Sequence, residues 1–210
     1  VQKLCGDSLY FYDSIAPVVH ADSLDLDVIF RASRWLDASD GDGDYLNIPL
    51  SREQYHAFVA ELLAAEKTPL HEFEKPQYFE GCLPIEVMAH RGRDTLRFGP
   101  MKPVGLTDPR TGRFPYAAVQ LRQDTLAGDH FSLVGFQTQI KWADQARVLR
   151  LVPGLEQAEF VRFGMVHRNT YICGPKVLLP TWQTRIRPDL FFAGQVSGVE
   201  GYVESAASGL

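Results

Sequence analysis

Asp189-Leu190-Phe191-Phe192-Ala193-Gly194-Gln195-Val196-Ser197-Gly198-Val199-Glu200-Gly201-Tyr202-Val203-Glu204-Ser205-Ala206-Ala207 reads as a strand, a glycine-rich turn and the start of a helix. Asp189 to Ala193 is a short apolar run of the kind that forms a buried strand. The glycines allow tight backbone conformations. The small residues Ala206, Ala207 and Gly209 let a helix pack closely. Backbone N–H groups and the helix dipole converge on negative charge at such a turn. Strand, turn and helix in this order predict an α/β architecture with an anion site.

Working outward, the clearest helix runs from Ser51 to Glu66. Ser51-Arg52-Glu53-Gln54 is a capping box. Tyr55, Phe58, Val59, Leu62 and Leu63 then fall on one stripe. Strands are expected at Leu9–Asp13, Ile15–Val19, Phe114–Leu121 and Phe131–Ile140. Trp142–Leu151 has helical spacing and is closed by Pro153-Gly154. Gly154–Phe163 is expected as a second short helix, with Leu155, Ala158 and Phe160 available for burial. Met165–Ile172 reads as a strand or loop with a polar centre, and Asp25–Trp35 as a strand or a short helix. Strands mixed with helices suggest α/β, with an α+β insert.

The chain has 210 residues and a net charge of −5, with 45% apolar and 22% charged residues. That composition belongs to a globular protein with a substantial core. No apolar run approaches the roughly 20 residues of a membrane span. Cys5, Cys82 and Cys173 form no CxxC, which argues against a disulfide scaffold and a zinc site and fits a cytoplasmic setting. The histidines show no metal-binding spacing, so no metal is expected. Asp40-Gly41-Asp42-Gly43-Asp44 fails as a calcium loop, because Tyr45 and Ser51 stand where Gly and Glu are needed. Residues 91–150 hold 10 Lys or Arg against 5 Asp, although the chain as a whole is acidic. Such a basic middle suits a phosphate-bearing partner, or is an ordinary solvated face.

The second informative stretch is Tyr78-Phe79-Glu80-Gly81-Cys82-Leu83-Pro84-Ile85-Glu86. Gly81 and Pro84 define a kinked backbone on which Cys82 is either a presented thiol or a small buried hydrophobe. Glu80 and Glu86 flank it and would raise its pKa; Arg91, Arg93 or Lys102 nearby would lower it. A shaped loop with one lysine, Met101-Lys102-Pro103-Val104-Gly105-Leu106, follows.

Glu80–Glu86, Met101–Leu106, Arg168-Asn169-Thr170-Tyr171-Ile172 and Phe192–Tyr202 together resemble the folate- and FAD-dependent tRNA (uracil-5-)-methyltransferases, the TrmFO family. The last stretch also resembles, more distantly, the glucose-inhibited division protein A family. The resemblance runs from end to end. It implies an internal fragment without the amino-terminal G-x-G-x-x-G turn: an incomplete doubly wound FAD-binding domain from residues 1–53 and 164–210, with a mixed domain inserted at 54–163. It implies FAD as cofactor, with 5,10-methylenetetrahydrofolate and NAD(P)H as co-substrates. The partner it implies is tRNA, not DNA or a membrane; the oligomeric state stays open.

The resemblance carries Cys82 as the catalytic thiol, adding at C6 of uracil or protecting an intermediate. It places Gly194, Gln195, Gly198, Val199, Glu200, Gly201 and Tyr202 along the flavin. Arg91, Arg93, Lys102, Arg110 and Arg113 would hold RNA phosphates. Cys5 does not match the family's other cysteine, and Cys173 stands where Asn is expected. The competing reading is a tRNA- or nucleotide-binding domain without catalysis.

Overall fold

A computed structural model describes residues 5–35, 43–68, 83–199 and 201–210. Cys82, Glu200 and most of the Asp40–Asp44 turn lie outside the described residues.

Contacts divide the chain into two units. One comprises Ser14–Leu70 with Phe79–Val166, the other Val1–Asp13 and His71–Tyr78 with His167–Leu210. The strands are β1 (Leu9–Ile15), β2 (Val18–His20), β3 (Phe30–Ala32), β4 (Tyr45–Leu50), β5 (Ala117–Gln123), β6 (His130–Leu133), β7 (Phe160–Arg162) and β8 (Met165–Ile172). The helices are α1 (Arg52–Ala64), α2 (Ile85–His90), α3 (Trp142–Leu149), α4 (Gly174–Val177) and α5 (Tyr202–Ala207). Mixed α/β structure is therefore as expected. Among the described residues no helix is long and apolar enough to cross a membrane.

The first unit is built on a six-stranded sheet in the order β3-β4-β5-β6-β2-β7, antiparallel throughout. β4 and β5 pair along their length, Ile48 opposite Val119 and Leu46 opposite Leu121. Pro49, which cannot donate to a ladder, falls beyond the stretch paired with β3, where one side of β4 has no strand partner among the described residues. The capping box of α1 is formed: Ser51 Oγ accepts from the Gln54 amide and Gln54 Oε1 from the Ser51 amide. Tyr55, Phe58, Val59 and Leu62 are buried together with Ile48, Leu50, Leu121, Leu133 and Phe136. Each large apolar side chain so buried contributes about 1.5–3 kcal/mol.

Several expectations are corrected. The strand predicted over Phe131–Ile140 ends at Leu133. Gly135 takes φ 76 and turns the chain, and Pro100 fills the place of its missing side chain. No helix forms over Gly154–Phe163; Gly154 has φ 82, Leu155 and Ala158 are buried outside any helix, and Phe160–Arg162 pairs with β2. The sheet unit begins at Ser14 and not at Gln54, because β2, β3 and β4 pair into the same sheet as β5 and β6.

In the other unit Cys5, Ile172, Val177 and Leu178 form a small cluster with Trp182 and Phe192 against it. Burial pushes the Cys5 thiol up. β1 and β8 form a two-stranded sheet. The buried strand expected at Asp189–Ala193 is not one: Phe191 makes a single bridge to Gln183 and is 56% exposed. With so small a cluster beneath it, the apolar run has no second layer to bury it among the described residues.

Candidate functional site

After β6 the chain leaves the sheet as Gln137-Thr138-Gln139-Ile140-Lys141-Trp142. Neighbouring segments hold it at nearly every residue. Ile85 N donates to Gln137 O at 2.8 Å, Thr68 N to Gln139 O at 2.9 Å and Lys141 N to Glu66 O at 2.9 Å. Gln145, fully buried on α3, donates to Ile140 O at 2.6 Å and Gly164 O at 2.7 Å, and accepts from Gly164 N at 2.8 Å. Gly164 has no room for a side chain: a Cβ there would stand 2.6 Å from Thr138 Cγ2.

These segments wall an apolar cleft of about 510 Å³ lined by Thr68, Gln139, Ile140, Lys141, Trp142, Gly164 and Met165. The Trp142 indole is 56% exposed at its edge. It stacks on Phe163 with centroids 6.0 Å apart and planes at 18°, and Phe163 stacks on Phe160 at 4.9 Å. An aromatic shelf beside an apolar cleft suits a flat ring system. Lys141 brings the one cationic group of the described lining. Glu66 pairs with it and raises its pKa.

Glu86, expected as an acid flanking Cys82, is turned into the core and fully buried. Thr138 Oγ1 donates to its Oε2 at 2.9 Å and Gln139 N to its Oε1 at 2.8 Å.

The predicted RNA-binding residues fall into different settings. Arg93 is exposed and donates from Nε to His56 Nδ1 at 3.0 Å. Burial and Arg93 lower the His56 pKa, and Arg52 acts in the same direction. Arg97, beside them in sequence, lies 3.6 Å over the Tyr116 ring. Burial pushes the Tyr55 phenol up to about 12, and its hydroxyl donates to Arg93 O. The structure thus adds Arg52 to the cluster, a residue the sequence offered only as part of a helix cap. Arg91, Lys102 and Arg113 are exposed. Arg110 is committed elsewhere: Nε and Nη2 donate to the two carboxylate oxygens of Asp108, each at 3.0 Å. Trp35 also escaped notice; it is 72% exposed at φ 66, beside Gly105.

At the glycine turn, Gly194, Gly198 and Gly201 all have positive φ. Gly194 N donates to Ser208 Oγ at 2.6 Å, and Ser197 Oγ to Gly194 O at 2.6 Å. A Cβ on Gly194 would make ordinary contact with Ser205, at 3.7 Å. Gln195 is exposed, Val199 half-buried and Tyr202 97% exposed. A glycine turn followed by an exposed aromatic ring fits a flat cofactor.

A family model described as glucose inhibited division protein A matches residues 1–210. The chain belongs to the glucose inhibited division protein A family. Its likeness to solved members fits: Aquifex aeolicus GidA in the form I crystal aligns with a TM-score of 0.61 at 17% identity, over 96% of this chain and 33% of that one. The form II crystal gives 0.58 at 18%, over 96% and 30%. At such identity GidA shares the fold.

Among curated relatives, the methylenetetrahydrofolate–tRNA-(uracil-5-)-methyltransferase TrmFO of Geobacter sulfurreducens is 62% identical over 210 residues, which is 100% of this chain and 48% of the relative. The protein of the same name from Heliobacterium modesticaldum is 60% identical over 211 residues, 100% of this chain and 47% of the relative. The chain thus spans about half the length of the curated relatives it matches.

Proposed function

We propose that this chain is part of a cytoplasmic flavoenzyme that methylates C5 of a T-loop uridine in tRNA. Its carbon donor would be 5,10-methylenetetrahydrofolate and its reductant NAD(P)H. The identity of 62% with a methyltransferase so named, without a break in coverage, carries this reading. The apolar cleft and the glycine turn support the reading.

On this reading the unit of Val1–Asp13 and His167–Leu210 belongs to the FAD-binding domain, and the sheet unit to the tRNA and folate side. Gly194, Gln195, Gly198, Val199, Glu200, Gly201 and Tyr202 would hold FAD along the turn, with the Tyr202 ring stacking on it. Bound FAD supplies the electrons that convert a methylene group to a methyl group. The apolar cleft beside Trp142 accepts a planar ring and keeps water from it. The thiolate of Cys82 adds to C6 of uracil and so makes C5 nucleophilic. Arg52, Arg91, Arg93, Lys102 and Arg113 hold tRNA phosphates in a salt-dependent way. Arg110, paired with Asp108, contributes less.

The test follows labelled carbon from methylenetetrahydrofolate into an unmodified tRNA transcript, with FAD and NADPH. It uses protein of the full length of the curated relatives. Wild type should incorporate label. Cys82→Ala should lose it with flavin still bound, and Trp142→Ala should raise the KM for methylenetetrahydrofolate. Absence of incorporation by wild type that still binds tRNA would leave a binding domain as the better description.

A further inference from the structure

The loop Phe98-Gly99-Pro100-Met101-Lys102-Pro103-Val104-Gly105 sorts its side chains sharply. Met101 and Pro103 are buried, whereas Phe98 is 84% exposed and Lys102 and Val104 face solvent. Backbone bonds fix this pattern. Met101 N donates to Leu96 O at 2.8 Å, Lys102 N to Gly99 O at 3.2 Å, and Ala118 N on β5 to Met101 O at 3.1 Å. In the single turn Thr95–Phe98 that leads in, Leu96 is fully buried and Arg97 lies over Tyr116. Phe98 is left outward.

A second aromatic ring is held at the other end of the same loop. Arg34 donates from Nη1 to Val104 O at 2.6 Å and from Nη2 to Lys102 O at 2.8 Å. Its Nε and Nη2 donate to Gln120 Oε1 at 3.2 and 3.0 Å, and Gln120 donates to Asn47 Oδ1 at 2.9 Å. The Arg34 fork is thereby anchored in β4 and β5. The next residue, Trp35, donates from N to Gly105 O at 3.3 Å. Its ring rests on Gly105, where a Cβ would stand 3.0 Å from Trp35 Cε2. Yet Trp35 is 72% exposed. A φ of 66 is strained for so large a side chain and persists only where the surroundings impose it. Burial of the indole does not offset that strain. Single exposed apolar side chains are ordinary on a surface. Two rings displayed at the ends of one loop, one of them under backbone strain, with an exposed lysine between, are not.

We propose that the Phe98–Gly105 loop with Trp35 binds an unpaired stretch of the tRNA: Phe98 and Trp35 stack on bases, and Lys102 takes a phosphate of the same stretch. This rests on the reading that the chain acts on tRNA. An unpaired base offers its face to an aromatic ring whatever its identity, whereas a base inside a duplex has both faces covered. The phosphate adds a salt-dependent contact. A small planar cofactor would cover one ring and leave the other exposed, so a strand with several bases fits the pair better.

The experiment uses protein of the full length of the curated relatives and an unmodified tRNA transcript. The transcript carries 2-aminopurine in one unpaired loop at a time. Affinity at several salt concentrations, quenching of the 2-aminopurine fluorescence and melting temperature are compared for wild type, Phe98→Ala, Trp35→Ala, Trp35→Phe and Lys102→Ala. Phe98→Ala and Trp35→Ala should each weaken binding about tenfold or more, equivalent to about 1.4 kcal/mol. Both should leave the salt slope unchanged and lose the quenching that wild type gives in one of the loops. Trp35→Phe should keep affinity within about threefold of wild type, because a ring remains to stack on. Lys102→Ala should lower the salt slope by about one. Melting temperatures should stay close to that of wild type, as for exposed side chains.

Wild-type affinity in Phe98→Ala and Trp35→Ala would overturn this inference alone. So would quenching in no loop, or a loss of affinity that follows a fall in melting temperature. A raised KM for methylenetetrahydrofolate with tRNA affinity unchanged would assign the rings to the cofactor and overturn it too. If Trp35→Ala does not fold, Phe98→Ala must lose both affinity and quenching, or the inference fails. Absence of tRNA binding by wild type overturns the underlying reading and this inference with it.

Discussion

Helices α1 and α5 each follow a strong local signal, a capping box in one and a glycine turn in the other, and they end in opposite states. α1 has 13 residues and buries Tyr55, Phe58, Val59 and Leu62. α5 has six residues and buries none; Tyr202 and Val203 are 97% and 77% exposed. Hydrogen bonds hold it locally, from Gly194 N to Ser208 Oγ and from Ser208 Oγ to Ser205 O. The difference teaches that a cap starts a helix, whereas burial of a stripe makes it part of a core. A glycine turn with exposed apolar neighbours is shaped for something other than its own side chains.

The comparison breaks first at the aromatic residues. Phe58→Ala should cost about 3–5 kcal/mol in thermal or urea unfolding, because it empties a filled site under the sheet. Tyr202→Ala should change stability by less than about 0.5 kcal/mol while weakening flavin retention. Equal losses in unfolding would mean that α5 is packed as firmly as α1.

Two glycines of similar φ sharpen it next. At Gly135 a Cβ would lie 2.6 Å from Pro100 Cβ, so Gly135→Ala adds overpacking to backbone strain and should cost about 3 kcal/mol. Gly194→Ala would make only ordinary contact with Ser205, at 3.7 Å, and carries the strain alone, about 1 kcal/mol. Denaturant midpoints of the two variants would test this order. Ser51→Ala removes the cap of α1 and should cost about 1 kcal/mol, read in the same way.

The smallest effect concerns pH. Arg110 beside Asp108 holds that carboxyl below its ordinary value of 3.8. A depressed pKa gives stability that is complete above pH about 4 and is lost as pH falls through the folded value. Asp108→Asn should therefore flatten the acid limb of the stability profile and leave its slope above pH about 5 unchanged. The exposure of Arg110 keeps the effect small. An unchanged acid limb would show the pair to be neutral in stability.

Legibility in the sequence followed the length of the pattern. The stripe of α1, its capping box and the helical spacing from Trp142 were readable because each rests on residues near one another in the chain, although α3 ends at Leu149 and not at Leu151. Shorter apolar runs misled. Leu155 and Ala158 are buried as expected, yet as an irregular segment ahead of β7, and Leu190–Ala193 has a strand's composition without a sheet to join. At the candidate site, Trp142 was visible only as the start of a helix. Nothing local told that Phe163 would stack on it. Arg110 looked like any basic residue, yet its Nε and Nη2 are both taken by the Asp108 carboxylate.

By itself the sequence determined the mixed α/β class, the position of α1, the family resemblance and the glycine turn with its positive-φ residues. All of these depend on local propensity or on motifs continuous along the chain. Tertiary structure alone decided that β2 to β4 share a sheet with β5 and β6, that segments around residues 68, 140 and 164 wall one cleft, and that Glu86 points inward to Thr138 and Gln139. Pairing across tens of residues is set by which surfaces can be buried together. A carboxylate's role depends on which donors reach it, and neither property is written in the neighbourhood of a single residue.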